Sequence, residues 1–400
     1  MLQVEELRST DRVVVVGAGL AGAQCAVALR EAGWSGPLSL VGAEPHRPYD
    51  RPPLSKDVLL GKVAATAFDL DWEALDVRLL TGRRATGLAP GTLRTDAGDL
   101  PYDRLVIATG ARPVRLPGDE AARVLRTVDD SLALRAVLRP GAHLVLVGAG
   151  WIGAETATAA RLLGCRVTVL EAAGEPLPGA LPAELTEPMR AWYAEAGVEL
   201  RLGARVDRIV PGAVHLADGE TVPADEVVIG VGARPDTAWL AGSGIELDAA
   251  GAILADAALR TSLPGVWAAG DCAGYPSTRY GGRVTVQHWD HALHSGRAVA
   301  AGLLGAAAPY DPVPYFWSEQ FGRMVQYAGR HAAGDLLLRR GSPADPGWSA
   351  LWLREGRPVA VLTVDRPRDL AQARRLIDQG RELDPVLAAD PAVPLKSAVR

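Results

Sequence analysis

A glycine loop that occurs twice constrains this chain more than any other feature of its sequence. Arg12 to Val16 form a short apolar strand, followed at once by GAGLAG and an Ala-rich helical stretch ending near Gly33. Leu144 to Val147 are again an apolar strand, followed by GAGWIG, another Ala-rich helix and Gly164. The spacing answers a steric demand. Gly17 and Gly148 suit the tight turn from strand to helix, and Gly19 and Gly150 let the backbone approach a pyrophosphate. Gly22 and Gly153 let the helix pack closely on its strand. Free N–H groups at each helix start then face the negative charge. Each copy continues into a second strand ending in a carboxylate, Glu44 in SLVGAE and Glu171 in TVLE, 22 and 18 residues beyond the third glycine. Such an acid accepts hydrogen bonds from adenosine ribose hydroxyls. A single loop of this kind occurs in ordinary turns. Two, each with strand, helix and acid, predict a pair of Rossmann-like α/β dinucleotide-binding domains.

A second repeated signature supports the duplication. Asp103 opens DRLVIATGARP and Asp225 opens DEVVIGVGARP, each an apolar strand ending in glycine and followed by Ala-Arg-Pro. These signatures lie 122 residues apart and the glycine loops 131 apart, so the first copy carries nine extra residues, net. The excess falls in the stretch containing HRPYDRPPLSK, a place for a specialised insertion. A third landmark runs from Val266 to Ala269 into Gly270-Asp271, whose carboxylate can accept hydrogen bonds from the hydroxyls of a ribityl chain. Gly-Asp alone is a common turn. Beside two dinucleotide units it becomes specific.

The order of GAGLAG, RPYDRPPLSK, ATGARP, GAGWIGAE, GVGARP and AAGDCA resembles the FAD-dependent pyridine nucleotide reductases of glutathione reductase-like fold. The likeness is above all to the NADH-dependent ferredoxin reductases of oxygenase and cytochrome P450 systems, and it covers nearly the full chain. The resemblance implies an FAD domain of about residues 1–115 and 245–315, an NAD domain of about 116–244, and a C-terminal α+β domain over 316–400. For FAD it implies contacts from Gly17, Gly19, Leu20, Ala21, Gly22, Glu44, Arg51, Ala108, Thr109, Gly110, Asp271 and Val286. For the nicotinamide cofactor it implies Gly148, Gly150, Trp151, Ile152, Gly153, Glu171 and Gly232. Lys56 matches a lysine near flavin N5, Glu155 the acid that pairs with it, and Arg51 a residue that helps neutralise the FAD pyrophosphate. Trp289 and Trp317 match aromatics close to the isoalloxazine, Trp289 being the stronger candidate for a catalytic role. A carboxylate at Glu171, followed by Ala172-Ala173, accepts two ribose hydroxyls and repels a 2′-phosphate, so a preference for NADH is expected.

Absences narrow the chemistry further. Cys25, Cys165 and Cys272 lie far apart without a CxxC pair, which predicts neither a disulfide framework nor a zinc or four-thiolate iron–sulfur site. Val41 to Arg84 contain no cysteine, and Ser55 stands in the insertion where thiol-relay relatives place one. Reduced flavin then needs an outside acceptor, and the resemblance implies a [2Fe-2S] ferredoxin that feeds a cytochrome P450 or another oxygenase. The other readings are an NADH oxidase-like enzyme and an NADH-binding flavoprotein like apoptosis-inducing factor. His288, His291 and His294 recur every third residue without an acid or thiol partner pattern, so a packed or solvated helix face is expected and no metal.

The net charge of −5 and pI near 5.9 give no reason to expect nucleic-acid binding. MLQVEELRSTD mixes both signs of charge and lacks the order of an export signal, and no apolar run is long enough to span a bilayer. A cytoplasmic enzyme, monomer or homodimer, is expected. At the C-terminal end RMVQYAG and DLLLRR read as strands, SALWLREGRPVAVLTV as a hairpin turning at Glu355-Gly356, and Leu370 to Gln379 as a helix. Arg323, Arg330, Arg339 and Arg340 are candidates to present positive charge to an acidic ferredoxin.

Overall fold

The computed structural model describes residues 7–64, 66–306 and 308–400, so the first six residues of the MLQVEELRSTD stretch lie outside the described residues. The chain divides into two compact units, one of residues 1–50, 67–112 and 234–314, the other of 51–66, 113–233 and 315–400. The HRPYDRPPLSK insertion is therefore split, and its second half belongs with the second unit.

The first unit is built on a parallel sheet in the order Val266–Ala268, Arg104–Ile107, Val13–Val16, Leu38–Val41, Arg78–Leu80. All four residues of Val13–Val16 are buried, as a central strand covered on both faces requires. Val13 and Val15 enter one apolar cluster with Leu40 and Val106, while Val14 and Val16 enter another with Leu105 and Ile107. Helix Leu20–Glu31 packs against the returning helix Trp289–Leu303, and the approach is close because both carry small residues. A Cβ on Gly296 would lie 2.2 Å from the Ala21 carbonyl oxygen.

The second unit repeats the plan. Its parallel sheet runs Val198–Leu202, Arg166–Glu171, His143–Val147, Glu226–Ile229, so both sheets order their first four strands 3-2-1-4. In each copy a three-stranded antiparallel meander precedes the fourth strand: Ala85–Ala89, Thr92–Thr95 and Leu100–Pro101 in one, Val206–Val210, Ala213–Leu216 and Thr221–Pro223 in the other. The aspartates that open the repeated signature act alike. Asp103 accepts the Arg12 backbone N–H and Asp225 that of His143, each at 2.7 Å, which fixes the edge of the first strand to the fourth.

The same unit carries a five-stranded antiparallel sheet ordered Tyr315–Gln320, Arg323–Gly329, Arg357–Val364, Trp348–Arg354, Leu336–Arg340. Its central hairpin turns at Glu355 and Gly356, both in the left-handed region that a two-residue turn demands. Helix Pro367–Gln379 buries Leu370, Ala373, Leu376 and Ile377 along one stripe, with Pro at its start and a left-handed Gly380 at its end. No described helix is long and apolar enough to cross a membrane.

Candidate functional site

Each unit presents a glycine cradle of nearly identical construction. Gly17 and Gly148 have φ of +111° and +106°, values that side chains other than glycine rarely adopt. A Cβ on Gly17 would sit 2.0 Å from the Ala108 carbonyl oxygen, and one on Gly148 would sit 2.5 Å from that of Gly230. The third glycines are equally pinned: a Cβ on Gly22 would meet the Gly17 oxygen at 1.9 Å, and one on Gly153 the Gly148 oxygen at 2.2 Å. The middle glycines are open. A Cβ on Gly19 meets nothing within 4 Å, and one on Gly150 only the Gly230 oxygen at 3.7 Å. Gly19 and Gly150 are the N-caps of their helices, no side chain caps either helix, and neither first turn holds an acid. The leading N–H groups are thus left for an anion that approaches over the open glycine, which is the fit a pyrophosphate requires. Leu20 and Ala21 begin the first helix, and Trp151 and Ile152 the second.

In the first unit Ala108 and Gly270 lie against that cradle. Ala108 closes the floor, its N–H donating to the Val16 carbonyl, and Thr109 ties its hydroxyl to the Asp236 carbonyl at 2.8 Å. Gly110 is left-handed at φ +73°. Gly270, with φ +72°, brings the Gly-Asp turn against the helix start, since its Cβ would lie 2.9 Å from the Cβ of Ala21. Asp271 follows, half-buried, and Val286 is buried. Glu44 accepts the Tyr49 hydroxyl at 2.5 Å, and the Trp289 indole N–H donates to Asp50 at 2.6 Å, which fixes the plane of that ring.

His291 closes the cradle from behind. It is buried, stacks on Tyr275 with centroids 5.5 Å apart, and bridges Tyr310 and the Gly270 carbonyl. A carbonyl can only accept, so Nε2 carries the proton and Nδ1 accepts from the Tyr310 hydroxyl. Burial holds this imidazole down at about 4. His294 instead lies 3.6 Å from Asp290 and is exposed, so the three-residue histidine spacing divides between a packed and a solvated environment.

In the second unit Glu171 is buried at the end of its strand. Its two oxygens accept the backbone N–H groups of Ala149 and Ala173 at 2.9 Å each, which ties the acid to the glycine loop. Lone pairs remain on both oxygens for ribose hydroxyls. Gly232 has φ +111° with open space beside it. Arg51 donates to the Arg126 carbonyl at 2.7 Å. Lys56 and Glu155 meet, with Nζ 2.6 Å from Oε2, the lysine 18% and the glutamate 5% exposed.

Sequence reasoning missed what surrounds this pair. Ser55 donates to the same Glu155 oxygen at 2.5 Å, and Ser318 donates to Oε1 at 2.7 Å. A serine in a strand has no spacing signature; the only signal was a polar pair, Ser318 and Gln320, alternating with charged and aromatic residues in FWSEQ. Trp317 lies on the same strand, stacked on Tyr315 with centroids 6.0 Å apart.

The expected docking arginines require correction. Arg340 is 1% exposed, pairs with Asp369 and donates to the carbonyls of Ala388, Asp390 and Val393, so it braces the C-terminal segment and presents no charge. Arg323 pairs with Glu195 at 2.6 Å and Arg339 with Glu184 at 3.0 Å, which offsets their charges. Arg330 is exposed and, among the described residues, pairs with no acid. Burial also silences the thiols: Cys25 is pushed up to about 12, Cys272 to about 11, and Cys165 is raised.

Residues 11–296 match the pyridine nucleotide-disulphide oxidoreductase family, and residues 315–399 match the reductase C-terminal family. The ferredoxin–NAD(+) reductase component of the anthranilate 1,2-dioxygenase system of Burkholderia cepacia is 37% identical over 97% of this chain and 99% of its own. Among solved structures, Fdr9 superposes with a TM-score of 0.92 at 45% identity, over 96% of this chain and 99% of its own. The reductase in the covalent putidaredoxin reductase–putidaredoxin complex superposes with a TM-score of 0.93 at 33% identity, over 98% of both chains. The chain, with its duplicated cradle and its antiparallel C-terminal sheet, belongs to the pyridine nucleotide-disulphide oxidoreductase family.

Proposed function

We propose that this chain is an NADH-dependent ferredoxin reductase, with FAD held by the first unit and NADH by the second, serving a [2Fe-2S] ferredoxin of a cytochrome P450 or other oxygenase system. One observation carries the reading: two open glycine cradles stand in a chain whose three thiols are all buried and raised. A bound FAD would supply the chemistry of taking one hydride, two electrons at once, and giving those electrons up singly. The residues supply the rest. Gly19 to Gly22 and Gly150 to Gly153 offer N–H groups to the two pyrophosphates, with Arg51 adding positive charge on the FAD side. Asp271 and Glu44 take hydroxyls of FAD, and Glu171 takes the ribose hydroxyls of NADH. Lys56, held by Glu155, orients the reacting edge of the flavin, and Trp289, fixed by Asp50, gives it an aromatic wall.

In domain terms, FAD binding falls to residues 1–115 and 245–315 and NADH binding to 116–244. The relatives named as ferredoxin–NAD(+) reductase and as putidaredoxin reductase support both the electron donor and the class of acceptor. The cytoplasm is the expected compartment. The test is NADH-driven reduction of cytochrome c by the yellow protein with and without a [2Fe-2S] ferredoxin. Ferredoxin-dependent stimulation is expected. Rapid peroxide formation that ignores the ferredoxin would replace this reading with an oxidase.

A further inference from the structure

We infer that Ser318, from the first strand of the C-terminal sheet, is a positioning residue for hydride transfer, acting on Lys56 through Glu155; the inference rests on the reading of Lys56 and Glu155 given above. Strand Tyr315–Gln320 lies along helix Trp151–Leu162, which begins at the second glycine loop. Three successive contacts line up. Phe316 packs edge-on against Trp151 with centroids 4.8 Å apart, Ser318 donates to Glu155, and the Phe321 N–H donates to the Thr158 hydroxyl at 3.0 Å. Residues 151, 155 and 158 share one face of the helix, and residues 316, 318 and 320 share one face of the strand.

Ser318 therefore meets Glu155 at a buried point of this seam. Ser318 has no exposed surface, Gln320 is 2% exposed, and the Gln320 amide donates to the Ser318 hydroxyl at 3.2 Å, which leaves the serine proton aimed at the carboxylate. Glu155 Oε2 serves Ser55 and Lys56, while among the described residues Oε1 accepts from Ser318 alone. Without that third donor the carboxylate is held from one side only and can turn about its last torsion, carrying the ammonium of Lys56 with it. Small displacements of a group that orients a reacting edge reduce rate far more than they reduce affinity. The C-terminal sheet thus has a part in the first half-reaction as well as any part in docking an acceptor.

The test compares Ser318→Ala with Lys56→Met and Glu155→Gln in the FAD-loaded protein. In stopped flow, Ser318→Ala is expected to lower the limiting rate of flavin reduction by NADH about tenfold. Calorimetric titration with NAD(+) is expected to give a Kd within about twofold of the parent, because the glycine loop and Glu171 are untouched. Adding Ser318→Ala to Glu155→Gln is expected to cost nothing further, since the serine acts through that acid. Gln320→Met, which removes only the support of the serine, is expected to lower the rate by less and serves if Ser318→Ala fails to fold. A parent-like rate in Ser318→Ala beside a slow Lys56→Met overturns the role of Ser318, as does an equal loss in the Glu155→Gln background or an NAD(+) affinity that falls along with the rate. Parent-like rates in Lys56→Met and Glu155→Gln instead overturn the reading of the pair itself.

Discussion

The two glycine cradles are copies at the level of backbone and strangers at the level of side chains. Their first glycines share a φ within a few degrees, their third glycines are blocked by the same carbonyl, and the aspartates that open the later signature bind the same strand edge. Two residues beyond the third glycine, however, the first copy has Gln24 and the second Glu155. Gln24 accepts a hydrogen bond from Arg297 at 2.9 Å at an exposed site, and Glu155 accepts three donors in a buried one. Sterics preserved the part of the motif whose open glycine suits a pyrophosphate. Chemistry was free to diverge one turn along the helix.

The severest way to break the symmetry is to fill the third glycine. Gly22→Ala is expected to yield colourless protein, and Gly153→Ala yellow protein that no longer binds NADH, because the new methyl collides with backbone in each; overpacking of this kind costs about 1–3 kcal/mol or more. The flavin-to-protein ratio and an NADH titration check both. Next, Glu155→Gln is expected to slow flavin reduction about a hundredfold in stopped flow, since it strips the charge partner from a largely buried lysine.

Steady-state assays are expected to favour NADH over NADPH about tenfold to a hundredfold in kcat/KM, and Glu171→Ser to narrow the ratio; hydrogen bonds to a charged group contribute roughly 1.5–3 kcal/mol. A pH series would separate the units in another way. His291 is held at about 4 against an ordinary 6.5 by burial, so between those values the unfolded chain binds a proton that the folded one refuses. Stability is therefore expected to fall as pH drops from about 6.5 to about 4, with at most about 1.4 kcal/mol per pH unit from this group. Thermal melting of His291→Gln, compared with the parent, should show a flatter slope in that window. The smallest effect belongs to Gln24→Glu, expected to leave reduction by NADH within about twofold.

The duplicated parallel sheets, the glycine loops and the C-terminal hairpin are legible in the sequence. Each follows from a local rule: a glycine where a Cβ cannot fit, a two-residue turn at Glu355-Gly356, a left-handed Gly380 ending a helix. What stayed hidden depends on contacts distant in sequence. Ser318 and Glu155 are 163 residues apart, and nothing in either segment names the other. Arg340 reads as a surface cation because composition does not reveal that three carbonyls and Asp369 surround it. Residues 51–66 read as part of the first unit because the chain reaches them there, yet Leu59 packs with Leu134, Leu144 and Ala154 of the second.

The sequestered thiols have a practical outcome for anyone handling the protein. Alkylating and oxidising reagents act on thiolate, and none of Cys25, Cys165 and Cys272 offers it near neutral pH. Maleimide labelling should stay negligible until the fold opens. Cysteines introduced by design at surface positions can then carry a dye or a crosslinker to one chosen place, with no background to remove first.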